Sequence, residues 1–216
     1  MEKKIFEKDF SEKLAKNYNE LSSYFDFELK VLCEFNTLIF EINKCLILEL
    51  NRAAITLTNH FIERLLKVAL IKNEAGIGPK PVDKWNDAYA KPTQQYGNLK
   101  LWETIKICRE KNLINEQEKS FLNDIVRDMV RNGFSHADVE KIMKKYPDNV
   151  VMYEGSFSNP GKLKEVSVNQ KLIPEIQAIQ IAGFAEANAR VYFDFVFNLL
   201  LRIEQRLTDK YDIEVS

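Results

Sequence analysis

With only 7 glycines and 6 prolines among its 216 residues, the chain lacks the turn-formers that a many-stranded sandwich or barrel consumes at every hairpin. Long uninterrupted elements are what remain, and the spacing of the apolar residues makes them helices. Leu57, Phe61, Leu65 and Val68 recur at steps of four and three, while Glu63, Arg64 and Lys67 take another face. From about Ser11 to Ala75 the chain reads as two or three long helices, ended by Gly76 and Gly78 with Pro79 and Pro81. Residues 76–97 read as a loop with a short central turn, pinned to the body by Trp85, Tyr89 and Tyr96. A helix follows over Leu99–Leu113, and Asn115 with Glu118 three residues on forms a capping box for the next. Pro174 to Lys210 is a last long helix, apolar on more than one face through Val191, Phe193, Val196, Leu200 and Ile203, which marks it as central or as part of a dimer interface.

One segment breaks the helical pattern. Between 148 and 168 the runs VVMYEGSF and KLKEVSV flank Ser158-Asn159-Pro160-Gly161, a pattern that predicts a small β-hairpin inserted between helices. The expected fold class is all-α: one helical domain over 1–216, with the 76–97 loop and the 148–168 hairpin as insertions.

Hydrophobic residues make up 45% and charged residues 29%, a globular balance. The 31 basic and 32 acidic residues leave a formal charge of −1, so no global positive field draws in nucleic acid, and any RNA site has to be a local basic pocket. Cys33, Cys45 and Cys108 have no C-x-x-C spacing and sit in apolar runs, as reduced cytosolic thiols do. The opening MEKKIFEKDF has no apolar stretch of a secretory signal, and the most hydrophobic stretches, 29–50 and 191–203, are interrupted by charge. A cytoplasmic protein with no membrane partner is expected.

Chemistry concentrates in Val130-Arg131-Asn132-Gly133-Phe134-Ser135-His136, which places an arginine, an amide and one of two histidines at the end of an amphipathic helix. Imidazole moves protons near neutral pH because its ordinary pKa is about 6.5. Guanidinium stays charged and grips phosphate oxygens with two parallel hydrogen bonds. Positions five apart on a helix differ in direction by roughly 140°, so Arg131 and His136 meet at one spot only if the helix breaks between them. Gly133 offers that break.

This run resembles the R-x4-H signature, with asparagine after the arginine, of the HEPN superfamily. Families in that group are helical bundles, many of them metal-independent endoribonucleases of toxin–antitoxin, phage-defence and CRISPR-linked systems. The order of long helices, a motif at one helix end, an insertion and a long final helix is similar over most of the chain. Residues 51–72, with Asn59, His60 and Glu63, look like the helix that packs beside the motif. The resemblance implies a homodimer that joins two motifs in one cleft, an RNA substrate, no cofactor or metal, and an inhibitor or antitoxin protein as a further partner. His136 would move protons, Arg131 would bind the phosphate, and Asn132 would position one of them, leaving 2′,3′-cyclic phosphate ends. Asp138 stands where a branch of the family has tyrosine, so activity tied to that tyrosine is not implied.

Each of these residues also has a plainer reading. Arginine and histidine at a helix end interact with the last carbonyls or with carboxylates such as Asp124, Asp128 or Asp138. His60 reads as a structural histidine. Glu63 either supports the motif or pairs with Lys67 one turn on. Lys141, Lys144 and Lys145 hold flanking phosphates or are the exposed face of a short helix. The alternative function is a non-catalytic helical module that dimerises or holds a partner, because fold constrains function loosely. No phosphate loop, dinucleotide fingerprint, H-E-x-x-H or G-x-S-x-G competes.

Overall fold

The computed structural model describes residues 2–124, 126, 142–144 and 146–211. Among them the chain is helical apart from one antiparallel hairpin. The order is α1 (Lys3–Leu21), α2 (Asn36–Ile47), α3 (Asn51–Ala75), α4 (Trp85–Tyr96), α5 (Leu101–Glu110), α6 (Glu116–Phe121), β1 (Asn149–Ser156), β2 (Asn159–Asn169) and α7 (Pro174–Lys210).

The fold is organised by its two longest helices. At 1.5 Å per residue α3 is about 37 Å long and α7 about 55 Å, and they pack against each other more extensively than any other helix pair. Phe61, Leu65, Leu66 and Leu70 of α3 meet Phe193, Val196, Leu200 and Ile203 of α7 in a continuous buried cluster. Each such side chain contributes about 1.5–3 kcal/mol by leaving water. Ala54, Ala69, Ala185 and Ala189 are also fully buried, and their small side chains allow close packing. Helix α2 adds Ile39, Ile42 and Leu46 to one side of the cluster, and α5 adds Leu101, Ile105 and Cys108 to another.

The connector between α1 and α2 is not helical throughout, as the sequence predicted, but an irregular strap with two short 3-10 turns, Ser22–Tyr24 and Cys33–Phe35. Its unpaired backbone needs acceptors. Glu204 of α7 supplies them, accepting from the N–H groups of Lys30, Val31 and Leu32 at 2.6, 2.7 and 2.9 Å. Leu29, Val31 and Leu32 are thereby buried, and Tyr24 and Phe27 pack edge-on against Phe197.

The segment expected to be a loop over 76–97 instead forms α4. Pro92 lies inside that helix and removes one of its hydrogen bonds, which is why the pattern reads as broken. The helix forms because Pro92 and Tyr96, one turn apart, are buried on one face as α4 packs on α3; tertiary packing overrides propensity. Tyr96 does pin the segment, whereas Trp85 stays exposed. Gly76 ends α3 at φ +79°, in the left-handed region expected of a helix-ending glycine.

The hairpin lies where predicted, with Asn149 opposite Asn169 and Met152 opposite Val166. Its turn does not. Phe157 and Ser158 make the turn, and Asn159, Pro160 and Gly161 belong to β2. Proline is tolerated there because a two-stranded ribbon has free outer edges. A register shift falls between Glu154 and Ser156. Gly155 sits in it, where a side chain would meet Leu163 Cδ2 at 2.6 Å. No helix among the described residues is long and apolar enough to cross a membrane, and the three cysteines are free thiols, Cys108 buried.

Candidate functional site

Helix α6 leads into the motif, and its start is held in one place. Asn115 Oδ1 accepts from the Glu118 N–H at 2.8 Å while Glu118 Oε2 accepts from the Asn115 N–H at 2.7 Å, the reciprocal cap that the sequence predicts. Glu118 has a second role that the spacing does not reveal. It is buried, and its carboxylate accepts from Arg202 Nε at 2.6 Å and from Arg206 Nη1 and Nη2 at 2.7 and 3.1 Å. Arg206 also donates to the Leu113 carbonyl at 2.8 Å. Burial pushes the Glu118 carboxyl up, but Arg206, the Asn115 N–H and Arg202 together outweigh it and hold it below the usual carboxylate range.

One turn further, the Phe121 and Phe195 rings approach to 4.0 Å between centroids. Leu122 and Val126 then enter the main core. From Glu118 to Phe121 the contacts step from Arg202 and Arg206 back to Phe195, so α6 runs antiparallel to α7, towards its N-terminal half. Where the described chain resumes, Ile142 packs with Ile181 and Phe184 of that half. The described residues on both sides of the motif therefore rest on α7, between Ile181 and Arg206.

Arg131, Asn132 and His136 lie outside the described residues, as do Lys141 and Lys145. Lys144 is described and exposed.

On the α3 side the same stretch of α7 meets a polar node. Tyr192, fully enclosed, donates to Asn59 Oδ1 at 2.8 Å, and both are buried. Glu63 is one turn along α3 from Asn59 and half-buried. Burial first, and then the negative charge of Glu63, push the Tyr192 phenol up. His60 is exposed to solvent.

The sequence-predicted residues thus divide. Glu63 stands at the α3–α7 contact, His60 and Lys144 stand apart from it in solvent, and the motif lies outside the described residues. Tyr192 was legible only as part of an apolar strip, and Arg202 and Arg206 not at all, although their i, i+4 spacing is the one signal that could have marked a shared carboxylate. Among the described residues no three or more histidine, cysteine, aspartate or glutamate side chains gather to hold a metal ion. Comparison with protein-family models, with curated proteins and with solved structures returns no match for this chain.

Proposed function

We propose that this protein is a metal-independent endoribonuclease of HEPN type, working as a homodimer in a toxin–antitoxin or phage-defence setting. The observation that carries the proposal is the Arg131-Asn132-x3-His136 run, which follows a helix anchored on α7 in a bundle of long helices. In the reaction one imidazole takes the proton of the ribose 2′-OH as that oxygen attacks the adjacent phosphorus. The P–O5′ bond breaks, and the departing 5′-oxygen takes a proton, leaving a 2′,3′-cyclic phosphate and a 5′-hydroxyl. Arg131 offsets the charge that builds on the phosphorane oxygens. Asn132 orients the 2′-OH, the phosphate or the imidazole, and Glu63, Lys141, Lys144 and Lys145 support the motif and the flanking phosphates.

The deciding experiment incubates a mixed RNA pool with wild type, Arg131→Ala and His136→Ala proteins in excess EDTA and analyses the product ends. Cleavage by wild type alone, with cyclic phosphate ends, is the expected result. Intact RNA with folded, dimeric wild type would remove the reading. A second reading, a non-catalytic partner-binding module of the cytoplasm, is favoured by one specific observation: Phe157 at the hairpin tip is fully exposed and Tyr153 and Leu163 are largely so, and apolar side chains gathered at a surface mark interaction sites.

A further inference from the structure

Trp85 opens α4 and is 51% exposed, although tryptophan is highly buried on average. Its one polar group does not account for the exposure: the indole Nε1 turns inward and donates to the Lys80 carbonyl at 3.0 Å. What is left to face solvent is mostly ring carbon. Lys80 ties the corner together, donating from Nζ to the Gly76 and Gly78 carbonyls at 2.6 and 3.2 Å, and the same ammonium lies 5.8 Å from the centre of the Tyr89 ring. Tyr89 follows Trp85 by one turn on the same face, about 6 Å along the helix. Both rings line an open groove of about 780 Å³. Ala90 and Gly97 leave room in it, and Asn86, Gln94 and Asn98 supply amide donors and acceptors. No charged side chain, and no aliphatic one larger than alanine, belongs to its lining.

We propose that this groove stacks unpaired bases of a single-stranded RNA, as a site that holds substrate and does not cut it; the choice of RNA rests on the nuclease reading above. Every base has a π-face, so stacking on a fixed aromatic ring tolerates any sequence, while amides can reach the base edges. A partner helix is a poor fit, because its apolar anchors need an aliphatic floor that the lining lacks. A duplex keeps its base faces stacked on one another and has none to offer. The charges nearby suit the backbone of a short strand. Lys80, Lys84, Lys91 and Lys100 lie in this stretch, none of them in an ion pair among the described residues. Against them stand Asp83, Asp87 and Glu103, the last engaged by the Lys100 N–H at 2.8 Å. That excess is small, so the rings supply most of the affinity and salt weakens it only shallowly.

The test uses a 2′-O-methyl oligonucleotide of about eight nucleotides, which has bases and phosphates but no 2′-OH to attack, so binding is read without cleavage. Trp102→Phe protein leaves Trp85 as the only indole, and its emission reports a base stacked on it. Anisotropy of the labelled strand gives the affinity. The expected result is saturable quenching of Trp85, an affinity that falls about tenfold to a hundredfold in Trp85→Ala and in Tyr89→Ala, little loss in Trp85→Phe, and weak binding of an abasic strand of the same length. Circular dichroism checks that each variant folds, and the quenching needs no change at the site itself. Three results overturn the proposal: a strand that leaves Trp85 emission unchanged, equal affinity for the abasic strand, or alanine variants that bind as wild type does. The two readings fail separately. RNA cleavage in EDTA without quenching removes this site alone, whereas quenching by a protein that cuts nothing removes the nuclease and leaves the site.

Discussion

Tyr192 on α7 donates its phenolic hydrogen to Asn59 on α3 at 2.8 Å, with both side chains buried between the two helices. A hydrogen bond closed off from water at the point where the two longest helices meet fixes their register as well as adding stability. Tyr192→Phe keeps the ring and removes the donor. Urea unfolding is expected to show a loss of about 1–2 kcal/mol, and in the nuclease reading cleavage falls by less than for His136→Ala.

Glu118 answers to two arginines and a helix cap at once. Glu118→Gln keeps the shape and removes the charge, and should cost about 1–3 kcal/mol at neutral pH because two partly shielded guanidinium groups lose their anionic partner and face an NH2 donor in place of one of its two oxygens. The carboxyl is held below its ordinary value, so its contribution is complete above the pKa of an unfolded glutamate and disappears as pH falls through the lower folded value. The difference between wild type and variant should therefore shrink on acidification, as paired unfolding curves from neutral to acid pH will check.

Burial, with the Asp194 hydrogen bond at 2.9 Å behind it, pushes the Tyr24 phenol up to about 12. An unfolded tyrosine titrates near 10, so between about pH 10 and 12 the unfolded chain gives up a proton that the folded one keeps. Stability from this source is intact below that window and falls as pH rises through it. Tyr24→Phe removes the titration, so its stability relative to wild type should improve from neutral to alkaline pH in denaturant titrations.

In the nuclease reading the motif variants separate by role. Removing a general acid or base costs about 10²–10⁴ in rate, so His136→Ala should fall in that range in single-turnover cleavage. Arg131→Ala should cost about 10²–10³, and Lys144→Ala should act mainly on the salt dependence of binding, as a phosphate contact does. Equal rates for wild type and His136→Ala would dismiss the assignment.

The hairpin is the most separable element. Asn149 and Asn169 are directly paired at its base, Gln170 Nε2 donates to the Pro147 carbonyl at 2.6 Å, and the strands rest on each other far more than on any helix. Replacing 150–168 by a short glycine-serine link should change the melting temperature by less than about 4 °C, equivalent to about 1 kcal/mol for a chain of this size.

Helical periodicity, the Asn115–Glu118 cap, the Gly76 stop and the hairpin were legible in the sequence because each depends on neighbours within a few residues. Helix α4 was not, because Pro92 reads locally as a breaker and only burial against α3 rescues it. The start of α1 was missed for a related reason: Lys3 to Phe10 is charged enough to read as solvated, and its stripe of Phe6, Phe10 and Leu14 stays partly exposed. The site divides along the same line. The motif is visible as a string of residue types, whereas the Tyr192–Asn59 bond and the two arginines on Glu118 join residues brought together only by packing, 133 and 84 to 88 positions apart.

The clasp of Glu204 on the backbone of Lys30, Val31 and Leu32 joins positions up to 174 apart. During synthesis the parts of the strap, α2 and α3 that pack on α7 stay uncovered until α7 has been made. Folding of the first third of the protein is thus tied to the arrival of its last long helix. A ribosome that stalls before Glu204 releases or holds a product with its interior facing outwards, material for chaperones and proteases and prone to aggregate with its own kind.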